Sequence, residues 1–282
     1  MLATLATLAS LLIAGAVAGQ EPQPAPTEPP APRVALVLVA DRTRLTAGET
    51  FELGVRYVVP PGWHIHWTNP GDGATRTQVD LTVPDGFTVA GPSYPGPERF
   101  DELGGRVHYG YTGEVVVLYR VTAPKELVVD THYTFSIQSR WLAHGERGVM
   151  GENAKKLRLE PADLEHPAKP NESALFEKAH AREPRPWKEL ADARAEWSLS
   201  KESGTHLFVF RVEHVDRLEF YPALDGGLDF AGRMIGIDRD SATVTIKVKS
   251  RADVPEKDQR LRGVLRVDRG RTRTWYQVDF PR

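Results

Sequence analysis

The sequence predicts an all-β protein: an immunoglobulin-like antiparallel β-sandwich, followed by a short helix and a second, smaller β domain. After about residue 33, apolar and polar residues alternate with period two in many short segments, which is the pattern of half-buried strands. Turn-forming groups of Gly, Pro, Asn and Asp separate these segments. Many short strands punctuated in this way are typical of an immunoglobulin-like sandwich.

Four segments of the first half show the strand pattern clearly, and we assign residues 33–165 to the sandwich. Within each segment the apolar residues fall on one face. They are Phe51, Leu53, Val55, Tyr57 and Val59; Val79, Leu81 and Val83; Val115, Val117, Tyr119 and Val121; and Tyr133, Phe135 and Ile137.

The pattern changes from strand to helix near Asn171. Asn171 or Ser173 can cap a helix in which Leu175, Phe176 and Ala179 share one face. Two prolines end the pattern shortly afterwards. The sequence therefore predicts a short linking helix between the two β regions.

Strand patterns resume after this helix. We assign residues 166–190 to the linking helix and 191–282 to the second β domain. The apolar strand positions of this domain are Phe208, Phe210 and Val212, then Val244, Ile246 and Val248, then Val264 to Val267 and Trp275 to Val278.

The amino-terminal residues have the composition of an export signal. Residues 1–18 are uncharged and largely apolar, and Ala16 and Ala18 are the small residues that a signal peptidase reads. A membrane anchor is the alternative, but the run is short for a span. Residues 19–32 form a Pro-rich, solvated leader. No later stretch is apolar for long enough to cross a membrane, so we expect a periplasmic or otherwise extracytoplasmic protein with no transmembrane segment after signal cleavage.

Charge and composition exclude several classes of function. The chain has 36 basic and 38 acidic residues and a net charge of -2, so it has no basic stripe for a nucleic acid. It contains no cysteine, so its core must hold it together without disulfides even after export. No glycine loop that could cradle a phosphate is present, and we expect no cofactor.

Two histidines lie two residues apart in an aromatic stretch. On a strand, His64 and His66 face one way, whereas Trp63, Ile65 and Trp67 face the other. The simplest interpretation is an aromatic core face and two surface histidines. The second interpretation is the beginning of a metal site, because imidazoles two residues apart share a face and suit copper or zinc.

A metal site would need at least one further ligand. His108 and His144 are the available histidines, but nothing in their spacing places either of them near His64. Metal binding by His64, His66 and His108 therefore remains an alternative at this level.

The motifs around these histidines resemble a known family. PGWHIHWTNPGDGATRTQVDLTVPDGF, then YPGPERFDELGGRVHYGYTGEVVVLYRVTAP, then RWLAHGERGVMGENAKKLRL, follow one another in the chain. They resemble the amino-terminal periplasmic domain of the thiol:disulfide interchange protein DsbD, especially the variant shared with the copper-sensitivity suppressor ScsB. That family shows Gly-Trp-His, Asn-Pro-Gly-Asp, Tyr-Gly-Tyr and then Trp-Leu followed by a cysteine pair.

The resemblance implies an immunoglobulin-like domain that passes electrons from a membrane-embedded partner to exported thiol proteins through one reversible disulfide. This chain keeps Trp141 and Leu142, but His144 stands where the first cysteine is expected and Gly148 where the second is expected. Neither side chain can form a disulfide, and exchange requires a thiolate. We therefore expect no catalytic residues at these positions.

The leading hypothesis is a redox-inactive module that binds an exported or membrane protein. The candidate contact residues are Trp63, Tyr109, Tyr111, Trp141 and His144. The alternative is a periplasmic protein that handles copper through its histidines.

An enzyme is the least favoured class. A glycan hydrolase would need two carboxylates at a defined separation. The available residues occur mostly in turns, where Asp is expected for backbone reasons. They are Asp72, Asp80, Asp85, Glu98 and Asp101.

Overall fold

The computed structural model describes residues 32–198, 200–202, 204–238 and 241–282, and these form mostly antiparallel strands with one short α-helix. The predicted all-β class is confirmed. The signal peptide predicted at 1–18, and nearly all of the leader at 19–32, lie outside the described residues. The strands are β1 Ala35–Ala40, β2 Thr50–Val58, β3 His64–Gly71, β4 Gln78–Thr82, β5 Thr88–Ser93, β6 Glu98–Asp101, β7 Val107–Tyr111, β8 Glu114–Thr122, β9 Tyr133–His144, β10 Gly148–Leu159, β11 Arg185–Pro186, β12 Ala193–Ser198, β13 Thr205–Glu213, β14 Arg217–Pro222, β15 Leu228–Asp238, β16 Ser241–Ser250, β17 Arg260–Arg269 and β18 Thr272–Pro281; the helix α1 is Ser173–Ala181.

The first ten strands form two sheets that share one apolar core. The first sheet has the order β1-β2-β8-β5 and the second β10-β9-β3-β7-β6, with β4 paired to β9. The alternating apolar residues of β2, β8 and β9 fill the space between the sheets, as period two predicts. The hydroxyl groups of Tyr57 and Ser139, 2.6 Å apart, link the two sheets inside this core.

The remaining strands form two further four-stranded sheets around a second core. Their orders are β12-β13-β16-β15 and β11-β18-β17-β14, and the short β11–β18 pair is parallel. The apolar residues predicted for these strands are buried here: Phe208, Phe210, Val212, Val244, Ile246, Val248, Val264, Leu265, Val267 and Val278 among them.

The helix α1 packs against the outer face of β8. Leu175, Phe176 and Ala179 are buried against Val116 and Leu118, so the predicted apolar face is confirmed. Because β8 is thus covered on both faces, its sequence EVVVLYRVT is apolar almost throughout.

The predicted cap of this helix is wrong. Glu172 occupies the N-cap position with a left-handed φ of 52°, and no side chain caps the helix. The Asn171 side chain instead donates a hydrogen bond from Nδ2 to the carbonyl oxygen of Ala40, 3.0 Å away. A tertiary contact therefore competes successfully with the local cap.

Side-chain hydrogen bonds connect the first sandwich with the second group of strands. Asn69 donates from Nδ2 to the carbonyl oxygen of Pro222 at 2.7 Å, and Trp275 donates from Nε1 to that of Pro97 at 3.1 Å. Residues 32–282 form one compact unit. None of the helices in the described part of the chain is long and apolar enough to span a membrane.

Candidate metal centre

Strand β3 carries both histidines of the His-Ile-His sequence. Ile65 and Trp67 point into the sandwich core, so His64 and His66 lie on the opposite face of the sheet, as predicted. Yet His64 is only 5 % exposed and His66 is 0 % exposed. The interpretation of these residues as surface histidines is therefore wrong.

The chain segment from β6 to β7 covers this outer face. The ring of Phe100 stacks on the ring of His64, with centroids 4.1 Å apart and planes 6° apart. Glu102 follows immediately after β6 and also reaches the histidines. Strand alternation could not reveal this burial, because it depends on side chains from β6, the edge strand of the same sheet, and from Glu102 just after it.

The pairing of β3 with its two neighbours brings two more histidines to the same place. His64 lies directly opposite His144 on β9. On the other side, an irregularity in the β3–β7 pairing sets Gly71 opposite His108. Gly110 permits the close approach of these strands, since a Cβ there would lie 2.0 Å from the carbonyl oxygen of Ile65.

The result is a cluster of four imidazoles, which we call the histidine cluster: His64, His66, His108 and His144. Their ring centroids are 4.6 to 6.1 Å apart. The structure thus brings together the three histidines proposed as ligands and the one expected at the first cysteine position.

Backbone carbonyls determine which nitrogen of two histidines faces the cluster. His66 Nδ1 is 3.1 Å from the carbonyl oxygen of Leu142, and His108 Nε2 is 3.1 Å from that of Asp72. A carbonyl can only accept, so each of these nitrogens carries the proton. The lone pairs that can bind a ligand are therefore those of His66 Nε2, which has no hydrogen-bond partner, and of His108 Nδ1, which lies 3.4 Å from His64 Nε2. Carbonyl contacts of this kind orient many metal-binding histidines.

His66 Nε2 is buried and has no hydrogen-bond partner. An unsatisfied buried polar atom is costly, and a metal ion is one of the partners that removes the cost. The candidate ligand atoms of His64, His66 and His108 all lie within 4.8 Å of one another. A tetrahedral zinc ion with nitrogen ligands at about 2.0 Å requires ligand separations of about 3.3 Å, and His64 Nε2 and His108 Nδ1 already lie 3.4 Å apart.

Burial and mutual repulsion keep His64, His66 and His144 in the neutral form that binds metal. Burial is the main cause that lowers the pKa of His64 to about 3 and that of His66 to about 4, and the neighbouring histidines lower both further. The pKa of His144 is lowered by the same causes, while Glu102 acts in the opposite direction. No proton has to be displaced from these side chains when a cation binds at neutral pH.

The remaining contact candidates lie mainly in the core. Tyr109, Tyr111 and Trp141 are all buried, so the structure places them inside the molecule, where they offer little contact surface. Trp63 is half-buried and lines a hollow of about 330 Å³ beside His64. Trp63 and His144 are the two candidates that reach the surface.

The family comparison matches the strands that build the histidine cluster. The family model described as "Thiol:disulfide interchange protein DsbD, N-terminal" matches residues 34–142. This chain carries a DsbD N-terminal-like domain. The family description names thiol:disulfide interchange as the activity of the matched protein. The match ends two residues before His144, so the alignment of His144 and Gly148 with the family cysteines stays a prediction.

One solved structure extends the fold similarity beyond the DsbD N-terminal-like domain. The N-terminal periplasmic domain of ScsB from Proteus mirabilis superposes with a TM-score of 0.59 at 14 % identity, covering 87 % of this chain and 92 % of that chain. The major pilin subunit BcpA*(D312A) of Bacillus cereus reaches a TM-score of 0.30 at 9 % identity, covering 88 % of this chain and 66 % of that chain. No curated protein is significantly similar to this chain.

Sequence reasoning missed two residues of the centre, Phe100 and Glu102. No spacing rule links them to the His-Ile-His sequence. Their place in the centre follows from the pairing of β6 with β7, which sets Phe100 directly opposite His108.

Two of the carboxylates considered for glycan hydrolysis, Asp72 and Asp101, have structural contacts. Asp72 accepts a hydrogen bond from the backbone N–H of Val107 through Oδ2 at 2.9 Å. Asp101 pairs with Arg99. These contacts are of the kind expected for Asp in turns and at strand ends.

A cysteine pair introduced at positions 144 and 148 is expected to form an intramolecular disulfide. His144 and Gly148 are direct partners across the β9–β10 hairpin, and opposed Cβ atoms of antiparallel strands lie about 4.5–5.5 Å apart, near the separation a disulfide needs. A Cβ built at Gly148 would lie 3.7 Å from His144 Nδ1, in ordinary contact, and 3.2 Å from Leu142 Cδ1, the end of a side chain that has to shift by a few tenths of an ångström. Mild oxidation of the His144→Cys/Gly148→Cys variant should remove its free thiols in a thiol titration, without dimers.

The matched control for this pair is His144→Cys/Met150→Cys. Met150 lies on β10 opposite Leu142, so it is not the partner of His144. Equal oxidation of both variants, or disulfide-linked dimers in the first, would contradict the assignment of positions 144 and 148 as a ready-made disulfide pair.

Proposed function

We propose that this chain is an exported, DsbD N-terminal-like module that binds a divalent transition-metal ion in the histidine cluster. The observation that carries the proposal is His66 Nε2, a buried lone pair without a hydrogen-bond partner that lies within 4.8 Å of the candidate ligand atoms of His64 and His108. Imidazole ligands suit copper, zinc and nickel, and affinity for one site rises from nickel to copper and falls again at zinc. We therefore expect Cu(II) to bind more tightly than Zn(II).

The same proposal assigns the module no disulfide exchange. The chain has no cysteine, and exchange proceeds by attack of a thiolate on a disulfide. In this proposal the metal centre stands where related domains carry thiol chemistry, because His144 supplies an imidazole at the position expected for the first cysteine.

Isothermal calorimetry on metal-free protein tests the metal proposal. Cu(II) and Zn(II) should each bind with a stoichiometry of one per chain at micromolar protein. His66→Gln keeps an amide that can donate to the Leu142 carbonyl but removes the free imidazole nitrogen, and it should weaken Zn(II) binding by about 100-fold or more, since even indirect partners of metal ligands are worth 10- to 100-fold.

His166→Gln is the matched control. His166 is more than half exposed and lies against Asp163, outside the histidine cluster. Its variant should bind both ions like the wild type. Lack of stoichiometric binding by the wild type, or equal loss in the two variants, would refute the metal proposal.

A second candidate function, protein binding, is favoured by the hollow beside the cluster. Pro60, Pro61, Trp63 and Phe100 give this hollow an apolar lining next to His64. We propose that an exported or membrane protein of the thiol–disulfide system inserts an apolar side chain here. Pull-down from an envelope extract should enrich a partner with wild-type bait and lose it with Trp63→Ala bait; equal recovery by the two baits would argue against this face.

A further inference from the structure

The histidine cluster contains two overlapping groups of three ligands. His64, His66 and His108 form an inner group. Glu102, His108 and His144 form an outer group, again with candidate ligand atoms within 4.8 Å of one another. His108 belongs to both groups, so an ion bound to it can change its other ligands without dissociating.

The two groups differ sharply in exposure. The inner histidines are at most 5 % exposed, whereas the side chains of His144 and Glu102 are 17 % and 21 % exposed. The outer group therefore forms the mouth of the centre. The inner group forms its floor, where His66 Nε2 is buried and has no hydrogen-bond partner.

One nitrogen of His108 connects the mouth to the floor. His108 Nδ1 lies 3.4 Å from His64 Nε2 and 3.7 Å from Glu102 Oε1. Its other nitrogen is held by the Asp72 carbonyl, so the ring cannot turn away without losing that hydrogen bond. His108 thus faces both groups with the same lone pair.

The mouth also carries the negative charge. Glu102 Oε2 lies 3.7 Å from His144 Nε2, so a carboxylate meets an entering cation first. Arg106 is close enough to lower the pKa of His144, which makes it the opposing charge at the mouth. Moving a hydrated cation directly into a buried site is costly, and exchanging its waters for ligands in steps lowers that cost.

We infer that the histidine cluster is an exchange site, in which a divalent ion is loaded and released through Glu102, His108 and His144 and is held by His64, His66 and His108. The inference rests on the proposed metal function and deepens it. It makes the ion a cargo that the module accepts and gives up, because a purely structural ion would need no exposed second set of ligands.

Stopped-flow kinetics with Cu(II) test the inference. Tryptophan quenching reports loading, since Trp63 and Trp67 flank His64 and His66 in the chain, and an excess of chelator reports release. Glu102→Gln and His144→Gln should each slow loading and release by about tenfold, equivalent to a barrier about 1.4 kcal/mol higher, while the equilibrium Kd changes little. His64→Gln should instead raise the Kd and speed release.

The possible outcomes separate this inference from the metal proposal. If the wild type binds no Cu(II) or Zn(II), the proposed function fails. If the wild type binds but His144→Gln raises the Kd as much as His64→Gln does, His144 is a permanent ligand and the exchange model is overturned. Unchanged loading and release rates in both outer variants would overturn it as well. Circular dichroism of each variant without metal confirms that it is folded.

Discussion

Lowering the pH of the metal-free protein from 7.5 to 5 is expected to reduce its free energy of unfolding by about 4 kcal/mol through His64 and His66 alone. The folded-state pKa values, about 3 and about 4, lie below the ordinary 6.5 of an imidazole. The unfolded chain therefore binds two protons near pH 5 that the folded chain does not bind. Their contribution to stability is complete above pH 6.5 and is lost as the pH falls towards the folded-state values.

Urea unfolding at a series of pH values, in the presence of a chelator, measures this loss. The His64→Gln/His66→Gln variant lacks both titrating groups, so its stability should fall less steeply between pH 7 and 5 than that of the wild type. His166→Gln should keep the wild-type slope, because its side chain is largely exposed. Parallel curves for the wild type and the double variant would show that the two buried imidazoles are protonated in the folded protein.

The strand pattern of the sequence was a good guide wherever one face of a strand meets the core. In β2, the buried positions Phe51, Leu53, Val55 and Tyr57 are those that period two selects. The same rule placed His64 and His66 together on one face. It works because side-chain direction in a strand is a local property of the backbone.

Burial of the histidines is not a local property, and sequence periodicity missed it. It depends on the pairing of β6 with β7 at the edge of the same sheet and on the stacking of Phe100 on His64. The convergence of His108 and His144 depends on strand order: β3 lies between β7 and β9 in the sheet, although the three are far apart in the chain. Register and neighbour choice are tertiary properties that a single sequence does not reveal.

The cap of α1 shows the same limit on a smaller scale. A local rule selected Asn171 or Ser173, but Asn171 uses its amide to bind Ala40 in β1. An Asn side chain can hydrogen-bond a backbone group that is close to it in the sequence or one that is distant in the sequence. The tertiary fold determines which of these groups lies within hydrogen-bonding distance.

Replacement of Trp141 by Ala is expected to cost about 3 to 5 kcal/mol of unfolding free energy, the usual range for loss of a large buried side chain. Trp141 is 5 % exposed and packs edge-on against Tyr57, with ring centroids 6.0 Å apart. Chemical denaturation monitored by circular dichroism measures the loss. Trp63→Ala is the control. Because Trp63 is half-buried and lines the surface hollow, its replacement should reduce the unfolding free energy clearly less than the replacement of Trp141.

The Trp141 variant also separates the core from the metal centre. Trp141 and Ala143 point into the sandwich, whereas Leu142 and His144 point to the outer face of β9, where the histidine cluster lies. A Trp141→Ala protein that remains folded should therefore bind Zn(II) with nearly the wild-type Kd while unfolding at lower denaturant. A stability loss under about 1 kcal/mol would mean that the indole is not a core element. Loss of Zn(II) binding in the folded variant would mean that the two faces of β9 are coupled, and that the packing of the core positions the imidazoles.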